Sequence, residues 1–165
     1  MTNKLTDARY DILINSRNDR ETSHLNTTVL AGDSGAIKLG RHMVRWTKVN
    51  WDNTHVPGLS WQDSPAENER AFLRYDAGFK LHGEAELVVT DKLHGHIIST
   101  LIGVPHILLN SKLGKNLAYH DTWTLDCENT RIAENFEQTL GYATMFFEKE
   151  FREGRWTPSV EGKPL

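Results

Sequence analysis

The sequence has one cysteine, no long apolar run and no excess of positive charge. Cys127 is the single cysteine among 165 residues, so no disulfide can form within the chain. A lone cysteine favours a reducing compartment. No stretch approaches the roughly 20 consecutive apolar residues of a membrane-spanning helix, and residues 1–7 lack the apolar core of a secretory signal. We therefore predict a cytoplasmic protein without a transmembrane segment.

The charge of the chain argues against nucleic acid as a partner. The formal net charge is -3, from 19 Lys and Arg residues and 22 Asp and Glu residues. The basic residues are scattered, whereas duplex DNA or an anionic membrane requires a broad basic face. The length is typical of one domain with one core. We predict a single domain over residues 1–165, of which 157–165 form a frayed tail.

The N-terminal half combines strand patterns with one clear helix. Residues 10–15 are a short β-branched run that predicts a buried strand, residues 22–41 predict a loop, and residues 44–51 alternate as a second strand. Ser64-Pro65-Ala66-Glu67 has the composition of a capped helix start. The helical spacing of Ala71, Phe72, Tyr75 and Phe79 predicts a buried stripe that runs to about Gly83.

The second half predicts the fold class. Residues 86–90 form a strand, residues 93–102 a helix that ends at Gly103, and residues 104–109 another strand. Strand, helix and strand in so few residues indicate a parallel βαβ unit. The predicted fold is therefore α/β, with a parallel Rossmann-like sheet and flanking helices. A long C-terminal helix, capped by Asn129, is predicted from the spacing of Ile132, Phe136, Leu140, Phe147 and Phe151.

Three predicted strand ends carry positive charge. In parallel sheets ligands bind beyond the carboxyl ends of the strands, where helix N-termini attract anions. The segments at these ends are residues 17–21, 91–96 and 110–115, and their candidate anion-binding cations are Arg17, Lys92, Lys112 and Lys115. A phosphate or carboxylate ligand is implied. The alternative is that these cations pair with carboxylates at the surface, as most do.

The helix that follows Asp91 carries the candidate proton-transfer group. On a helical wheel His94 falls within the apolar arc, whereas Lys92 and His96 fall on the opposite side. His94 is thus predicted to face the rim between helix and sheet and to act as a general acid or base. The alternative is a core-edge histidine bonded to a backbone carbonyl. Asp91, the other candidate catalytic residue, is more simply explained as the cap of the helix.

The histidines and three of the tryptophans are further candidates for ligand binding. A zinc site is the competing interpretation of His82, His94, His96, His106 and His120. None of these histidines has a recognised ligand spacing, so we predict no metal. Trp51, Trp61 and Trp123 are predicted in or near loops, where an indole can stack on a sugar ring, although tryptophan is more often part of the core.

Residues 86–96 (ELVVTDKLHGH), 101–106 (LIGVPH) and 110–115 (NSKLGK) resemble the most recognisable stretch of the polysaccharide pyruvyl transferases. The resemblance extends back to Arg17, Asp19 and Glu21 and forward through Trp123, so it covers most of the chain. One departure is Lys92, where the family usually has arginine. Lysine keeps the charge but loses the planar fork that grips an oxyanion with two hydrogen bonds.

The resemblance implies transfer of a pyruvyl group, as a ketal, from phosphoenolpyruvate to a sugar of a cell-surface polysaccharide. No cofactor is implied, because phosphoenolpyruvate is the donor substrate. Arg17 and Lys92 would hold the donor, with Lys112 and Lys115 as second choices. His94 would transfer protons, and Asp19, Glu21 and Trp123 would contact the glycan acceptor.

The resemblance also implies a missing partner. Family members have two α/β halves like a GT-B glycosyltransferase, and this chain resembles the C-terminal half. An N-terminal half or a second subunit would complete the cleft. Two alternatives stay open: a non-catalytic module that binds a phosphosugar or nucleotide sugar, and one half of a GT-B glycosyltransferase. The secretory-pathway lumen is an alternative location if the chain is part of a longer eukaryotic protein.

Overall fold

The fold is built on one six-stranded sheet with four flanking helices. The computed structural model describes residues 8–17, 30, 32–49 and 67–158. The strands are β1 (Tyr10–Asn15), β2 (Ser34–Leu39), β3 (His42–Val49), β4 (Ala85–Thr90), β5 (His106–Leu109) and β6 (Thr130–Ala133). The helices are α1 (Glu67–Gly83), α2 (Leu93–Ile102), α3 (Lys115–Tyr119) and α4 (Phe136–Arg152), and a π-helical turn, His120–Thr124, continues α3.

The sheet is mostly parallel, which confirms the predicted fold class. The strand order is β2-β3-β1-β4-β5-β6. β1 pairs in parallel with both β3 and β4, β4 pairs in parallel with β5, and β5 with β6. Only the β2–β3 pair is antiparallel among these ladders. The β4-α2-β5 unit is the predicted parallel βαβ unit, and the carboxyl ends of β1, β4 and β5 consequently lie side by side.

Both faces of the sheet are covered. Alternate residues of a strand point to opposite faces, so Ile12 and Ile14 of β1 join one core cluster while Leu13 joins the other. The first cluster includes Phe147 of α4. Leu81 of α1 and Ile102 of α2 pack against the second cluster. No helix within the described ranges is both long and apolar enough to cross a membrane.

Two strands were missed by the sequence analysis. β2 lies within residues 22–41, which were predicted as loop, and most of its side chains are exposed because it is an edge strand. It therefore lacks the hydrophobic alternation of a half-buried strand. β6 contains Ile132, which was assigned to the C-terminal helix because it precedes Phe136 by one helical turn. A strand of four residues is too short to show its own period.

The start of α4 also differs from the prediction, because Ile132 of β6 had been assigned to this helix. Its N-cap is Asn135 rather than Asn129, and the Asn135 side chain accepts a hydrogen bond from the Gln138 N–H at 2.9 Å. The Gln138 side chain in turn accepts from the Glu134 N–H at 2.9 Å. This reciprocal pair is a capping box. The predicted cap of α1 at residues 64–66 lies outside the described residues, whereas its end at Gly83 is confirmed.

The predicted buried stripe of α1 was wrong. Phe72 is 65% exposed and Tyr75 is 50% exposed. The helix instead buries Gly78 and His82. The apolar spacing correctly indicated a helix, but the packing partner selects the face. Here a glycine and a hydrogen-bonded histidine, rather than the larger apolar side chains, are buried.

Candidate functional site

Asp91 connects the three adjacent strand ends. Its carboxylate oxygen Oδ1 accepts a hydrogen bond from the backbone N–H of Arg17 at 2.7 Å, which joins the end of β4 to the end of β1. Its carbonyl oxygen accepts from Asn116 Nδ2 at 2.7 Å, and the same amide group donates to the carbonyl of Leu109 at the end of β5, at 2.9 Å. The segments that begin at Arg17, Asp91 and residue 110 therefore meet, as predicted.

The predicted capping role of Asp91 is not observed. The N-cap of α2 is Lys92, in an extended conformation, and its side chain makes no capping hydrogen bond. The backbone N–H of Lys92 donates to Thr90 Oγ1 at 3.1 Å, and that hydroxyl donates to the carbonyl of Asn15 at 2.7 Å. The Asp91 carboxylate is fully buried and orders the strand ends instead.

Gly95 allows the first turn of α2 to pack directly on the strand ends. A Cβ atom at this position would lie 2.5 Å from Thr90 Oγ1 and 3.3 Å from Asn15 Nδ2. The first value is well inside van der Waals contact, so any larger residue would push the helix outward. The glycine therefore sets how close the N-terminus of α2 lies to β1 and β4.

The predicted orientation of α2 was wrong. His94 is exposed, whereas His96 is fully buried and Lys92 is only 7% exposed. The buried face of α2 contains Gly95, His96, Ile98 and Ser99, and Leu101 is 66% exposed. The helical wheel failed because it assumed that the larger apolar residues face the core. In the structure Gly95 and the polar side chains of His96 and Ser99 occupy much of that face.

The other predicted residues are distributed as follows. Lys112 is exposed and Lys115 is partly exposed, and both follow the end of β5. Trp123 is 74% exposed in the π-helical turn. Asp19, Glu21, Trp51 and Trp61 lie outside the described residues.

Several buried polar groups at this edge were not predicted. Asn15 and Asn116 are fully buried, and Ser111 is 3% exposed. Within the described ranges no hydrogen-bond partner is found for Asn15 Oδ1, Asn116 Oδ1 or Ser111 Oγ. Buried polar atoms normally have a partner, so their clustering beside Asp91 is typical of a binding site. The signal in the sequence was the position of Asn15 and Ser111 directly at strand ends.

His82 lies behind the same edge in α1. Its Nδ1 is 2.8 Å from the Gly78 carbonyl, which can only accept, so Nδ1 carries the proton and Nε2 accepts from Asn15 Nδ2 at 3.1 Å. Burial lowers the pKa of His82, the bond to Gly78 opposes that effect, and the positive charge of Lys92 lowers the pKa further. His82 is therefore neutral and orients Asn15.

Metal binding finds no support in the geometry. No three His, Cys, Asp or Glu side chains converge in a metal-binding arrangement in the described part of the chain. His96 and His106 do approach, but their nitrogens Nδ1 and Nε2 are 2.7 Å apart and share a hydrogen bond. A cavity of about 280 Å³ lies between α4 and the first residues of β5 and β6, and none of the predicted site residues lines it.

Comparison with known families decides the assignment. The family model described as polysaccharide pyruvyl transferase matches residues 4–112, about two thirds of the chain. This range includes β1, β4, α2 and β5, the elements that meet at Asp91. The chain belongs to the polysaccharide pyruvyl transferase family. The resemblance proposed from the sequence is thereby confirmed.

Individual relatives agree with this membership. Pyruvyl transferase 1 of Schizosaccharomyces pombe (strain 972 / ATCC 24843) is 34% identical over 125 residues, which is 74% of this chain and 30% of that protein. EpsO of Bacillus subtilis (strain 168), whose name provisionally places it among pyruvyl transferases, is 36% identical over 50 residues, or 30% of this chain and 16% of its own length. The chain thus spans less than a third of either relative.

The range matched by the family model contains some of the candidate site residues of this pyruvyl transferase family member but not others. Arg17, Asp91, Lys92 and His94 lie within the matched range, which ends at Lys112. Lys115 and Trp123 lie beyond it. The α3 helix and its π-helical turn are therefore supported as part of this site only by their contacts, chiefly those of Asn116.

Proposed function

We propose that this chain forms the donor-binding part of an enzyme that transfers a pyruvyl group from phosphoenolpyruvate to a sugar of a polysaccharide, forming a ketal. The observation that carries the proposal is the convergence of Arg17, Asp91 and Lys92 at the N-terminus of α2. An anion at a helix N-terminus gains from the helix dipole and from the backbone N–H groups of the first turn.

Lys92 is the strongest candidate for holding the donor. It is 7% exposed, and a cation that is mostly shielded from water interacts more strongly with an anion than one in bulk solvent. Arg17 follows the end of β1 and is tied to Asp91 through its backbone, so its guanidinium extends from an ordered anchor. Lys112 and Lys115 follow the neighbouring strand end and remain second choices.

The reaction requires a group that protonates phosphoenolpyruvate, and two sugar hydroxyl groups must each lose a proton. A proton adds to the methylene carbon of phosphoenolpyruvate, and C2 becomes an oxocarbenium-like electrophile. One sugar oxygen bonds to C2 and loses its proton, the bond from C2 to the phosphate oxygen breaks, and a second sugar oxygen closes the ketal. Inorganic phosphate leaves with one of the two hydroxyl protons. His94, exposed in the first turn of α2, is the proposed general acid or base.

The acceptor side requires more of the protein than this chain. The chain spans about 30% of the length of pyruvyl transferase 1, so we propose that another α/β half or a second subunit completes the cleft, as in a GT-B enzyme. Asp19, Glu21 and Trp123 stay predictions as acceptor contacts. A cytoplasmic location also stays a prediction.

The test is a calorimetric titration of the chain with phosphoenolpyruvate, inorganic phosphate and a nucleotide sugar. We expect phosphoenolpyruvate to bind most tightly. Lys92→Ala should weaken it by about 10- to 100-fold, the cost of one charge-assisted hydrogen bond. The matched control is Lys80→Ala, because Lys80 is an exposed lysine of α1 paired with Asp76 at 2.7 Å, and it should leave affinity unchanged.

Two results would reject the proposal. If a well-folded chain fails to bind phosphoenolpyruvate, the donor site is not formed by these residues. If the nucleotide sugar binds more tightly than phosphoenolpyruvate, the chain is a sugar-nucleotide binding module or half of a glycosyltransferase.

A further inference from the structure

A buried chain of hydrogen bonds lies beneath the first turn of α2, and the proposed reaction makes no use of it. His96 Nδ1 is 2.7 Å from His106 Nε2, and His96 Nε2 is 2.8 Å from Thr124 Oγ1. The same hydroxyl is 3.0 Å from His120 Nδ1. His96, His106, His120 and Thr124 are all at most 7% exposed. These bonds join α2 to β5 and to the π-helical turn.

One carbonyl group fixes the position of every proton in this chain. His106 Nδ1 is 3.0 Å from the Val104 carbonyl, which can only accept, so Nδ1 of His106 carries the proton and its Nε2 accepts. His96 must then donate from Nδ1 and accept at Nε2 from the Thr124 hydroxyl. Both ring nitrogens of His96 are therefore committed, and its ring has one allowed orientation.

The surroundings keep His96 and His106 neutral. Burial lowers the pKa of His96 and of His106 to about 4 each, with further lowering from the neighbouring histidines. Within the described ranges, the His96 ring makes its ring contacts and hydrogen bonds with His106 from β5, Tyr119 from α3, and His120 and Thr124 from the π-helical turn. No carboxylate or cation is among these contacts, so the arrangement of protons persists at neutral pH.

The fixed ring constrains where the first turn of α2 points. His94 and His96 are two residues apart, so they extend from nearly opposite sides of the helix. Rotation of α2 about its axis would move both side chains together. Gly95 sets the depth of the helix against Thr90, but a glycine contact does not by itself fix rotation. The bond of His96 to His106 supplies that constraint, because His106 lies in β5 of the sheet.

We infer that His96 is a positioning residue of this enzyme: by bonding to His106 in β5, it sets the direction in which His94 faces the donor. The inference rests on the proposed function, because it assigns a purpose to His94. His96 itself does not touch the reacting atoms.

Three substitutions of His96 separate its two bonds. His96→Leu removes both. His96→Gln keeps an acceptor for Thr124 but loses the donor to His106, and His96→Asn keeps a donor near Nδ1 for His106 but loses Thr124. His106 Nε2 retains the Thr130 hydroxyl at 3.1 Å and Thr124 retains His120, so the fold has alternatives for the partners that are left behind.

The measurement is a pH titration of the histidine ring protons by NMR, without ligand and with phosphoenolpyruvate. We expect the His94 ring signals to shift in the Leu and Gln variants, because the surroundings of the ring change, and to stay at their wild-type positions in the Asn variant. His42, which packs on Phe151 and Trp156, is an internal reference that should not move.

Ser99→Ala is the matched control. Ser99 is fully buried on the same face of α2, and its hydroxyl has no hydrogen-bond partner among the described residues. This variant should leave the His94 signals unchanged. A purely structural role for His96 would lower stability in the Leu and Gln variants and leave His94 where it is, which would overturn the inference.

The measurements with phosphoenolpyruvate distinguish a failure of this inference from a failure of the proposed function. In the wild type, phosphoenolpyruvate should shift the His94 signals, and the Leu and Gln variants should reduce that shift. If phosphoenolpyruvate does not perturb wild-type His94, the proposed function fails, while the ligand-free comparison still decides whether His96 orients His94. If the Asn variant behaves like the Leu variant, the bond to His106 is not the constraint and the inference is wrong.

Discussion

At the residue scale, His94 is the side chain on which the proposed chemistry depends most. It is exposed in the first turn of α2, two residues after the nearly buried Lys92 and directly before the buried Gly95. A group that exchanges protons with a substrate must be accessible, so exposure is compatible with the role although the predicted inward orientation was wrong. Its neighbours, by contrast, are held by the strand ends.

We predict that His94→Ala lowers pyruvyl transfer by about 100- to 10,000-fold, the range for loss of a general acid or base. Affinity for phosphoenolpyruvate should change less than about threefold, because Lys92 and the helix N-terminus remain. The assay is phosphate release from phosphoenolpyruvate in the presence of glycan. Leu101→Ala, at an exposed position of the same helix, is the control, and wild-type turnover by the His94 variant would contradict the assignment.

The buried histidines predict how stability depends on pH. The pKa of His96 and of His106 is about 4 in the folded protein, against roughly 6.5 in an unfolded chain. Between these values the unfolded state binds protons that the folded state does not. The stabilisation is thus complete above about pH 6.5 and is lost as the pH falls towards 4, by about 2 kcal/mol per histidine at pH 5.

Urea unfolding at pH 7.5 and at pH 5 measures this loss. The His96→Leu variant should lose less free energy of unfolding over the same interval, because one titrating group has been removed. Equal stability of the wild type at both pH values would show that the two rings are not held neutral in the folded state.

At the scale of elements, the depth at which α2 packs depends on one glycine. We predict that Gly95→Ala destabilises the protein by about 1–3 kcal/mol, the cost of overpacking, because the new Cβ would lie 2.5 Å from Thr90 Oγ1. The variant should also bind phosphoenolpyruvate more weakly, since the helix N-terminus is displaced.

The matched control is Gly141→Ala in α4. A Cβ at Gly141 meets nothing within 4 Å, so alanine should stabilise that helix by up to about 1 kcal/mol through its higher helix propensity. Both variants are compared by urea denaturation and calorimetry. Unchanged stability and affinity in Gly95→Ala would show that α2 has more freedom than the close contact implies.

The elements differ in how far the sequence predicted them. β1, β4 and α2 were predicted closely because each has a run long enough to show a period or ends at a clear signal such as Gly103. β2 was missed because an edge strand has few buried side chains, and β6 because four residues carry no period. In both strands, the local pattern of hydrophobic residues does not show that the segment pairs with a neighbouring strand of the sheet.

At the scale of the whole molecule, the last described segment is tied to the first strand. Trp156 is 4% exposed, packs on Phe147, and donates from Nε1 to Asp11 Oδ1 at 3.1 Å. The other oxygen of Asp11 accepts from the Arg45 N–H at 2.8 Å, so this carboxylate joins β1, β3 and the segment after α4. Contacts between residues so distant in sequence favour unfolding of the described elements as one unit.

We predict a single unfolding transition, with coincident curves from circular dichroism and tryptophan fluorescence. Trp156→Ala should lower the free energy of unfolding by about 3–5 kcal/mol. Trp156→Phe should cost less, about 1–3 kcal/mol, because packing is largely kept while the bond to Asp11 is lost. Two separated transitions would argue against the single domain predicted over residues 1–165, a prediction that otherwise stays untested.

The sequence by itself determined the fold class, the family and the strand ends that meet around Asp91. These follow from local periods and from short motifs, which a chain carries wherever it folds. Only the tertiary structure decided which faces of α1 and α2 are buried, that Asp91 joins strand ends rather than capping α2, and that His96 rather than His94 lies inside. Those outcomes depend on the competition between apolar burial, close backbone approach at Gly95 and hydrogen bonds to distant residues. The result of that competition cannot be predicted from a local sequence pattern.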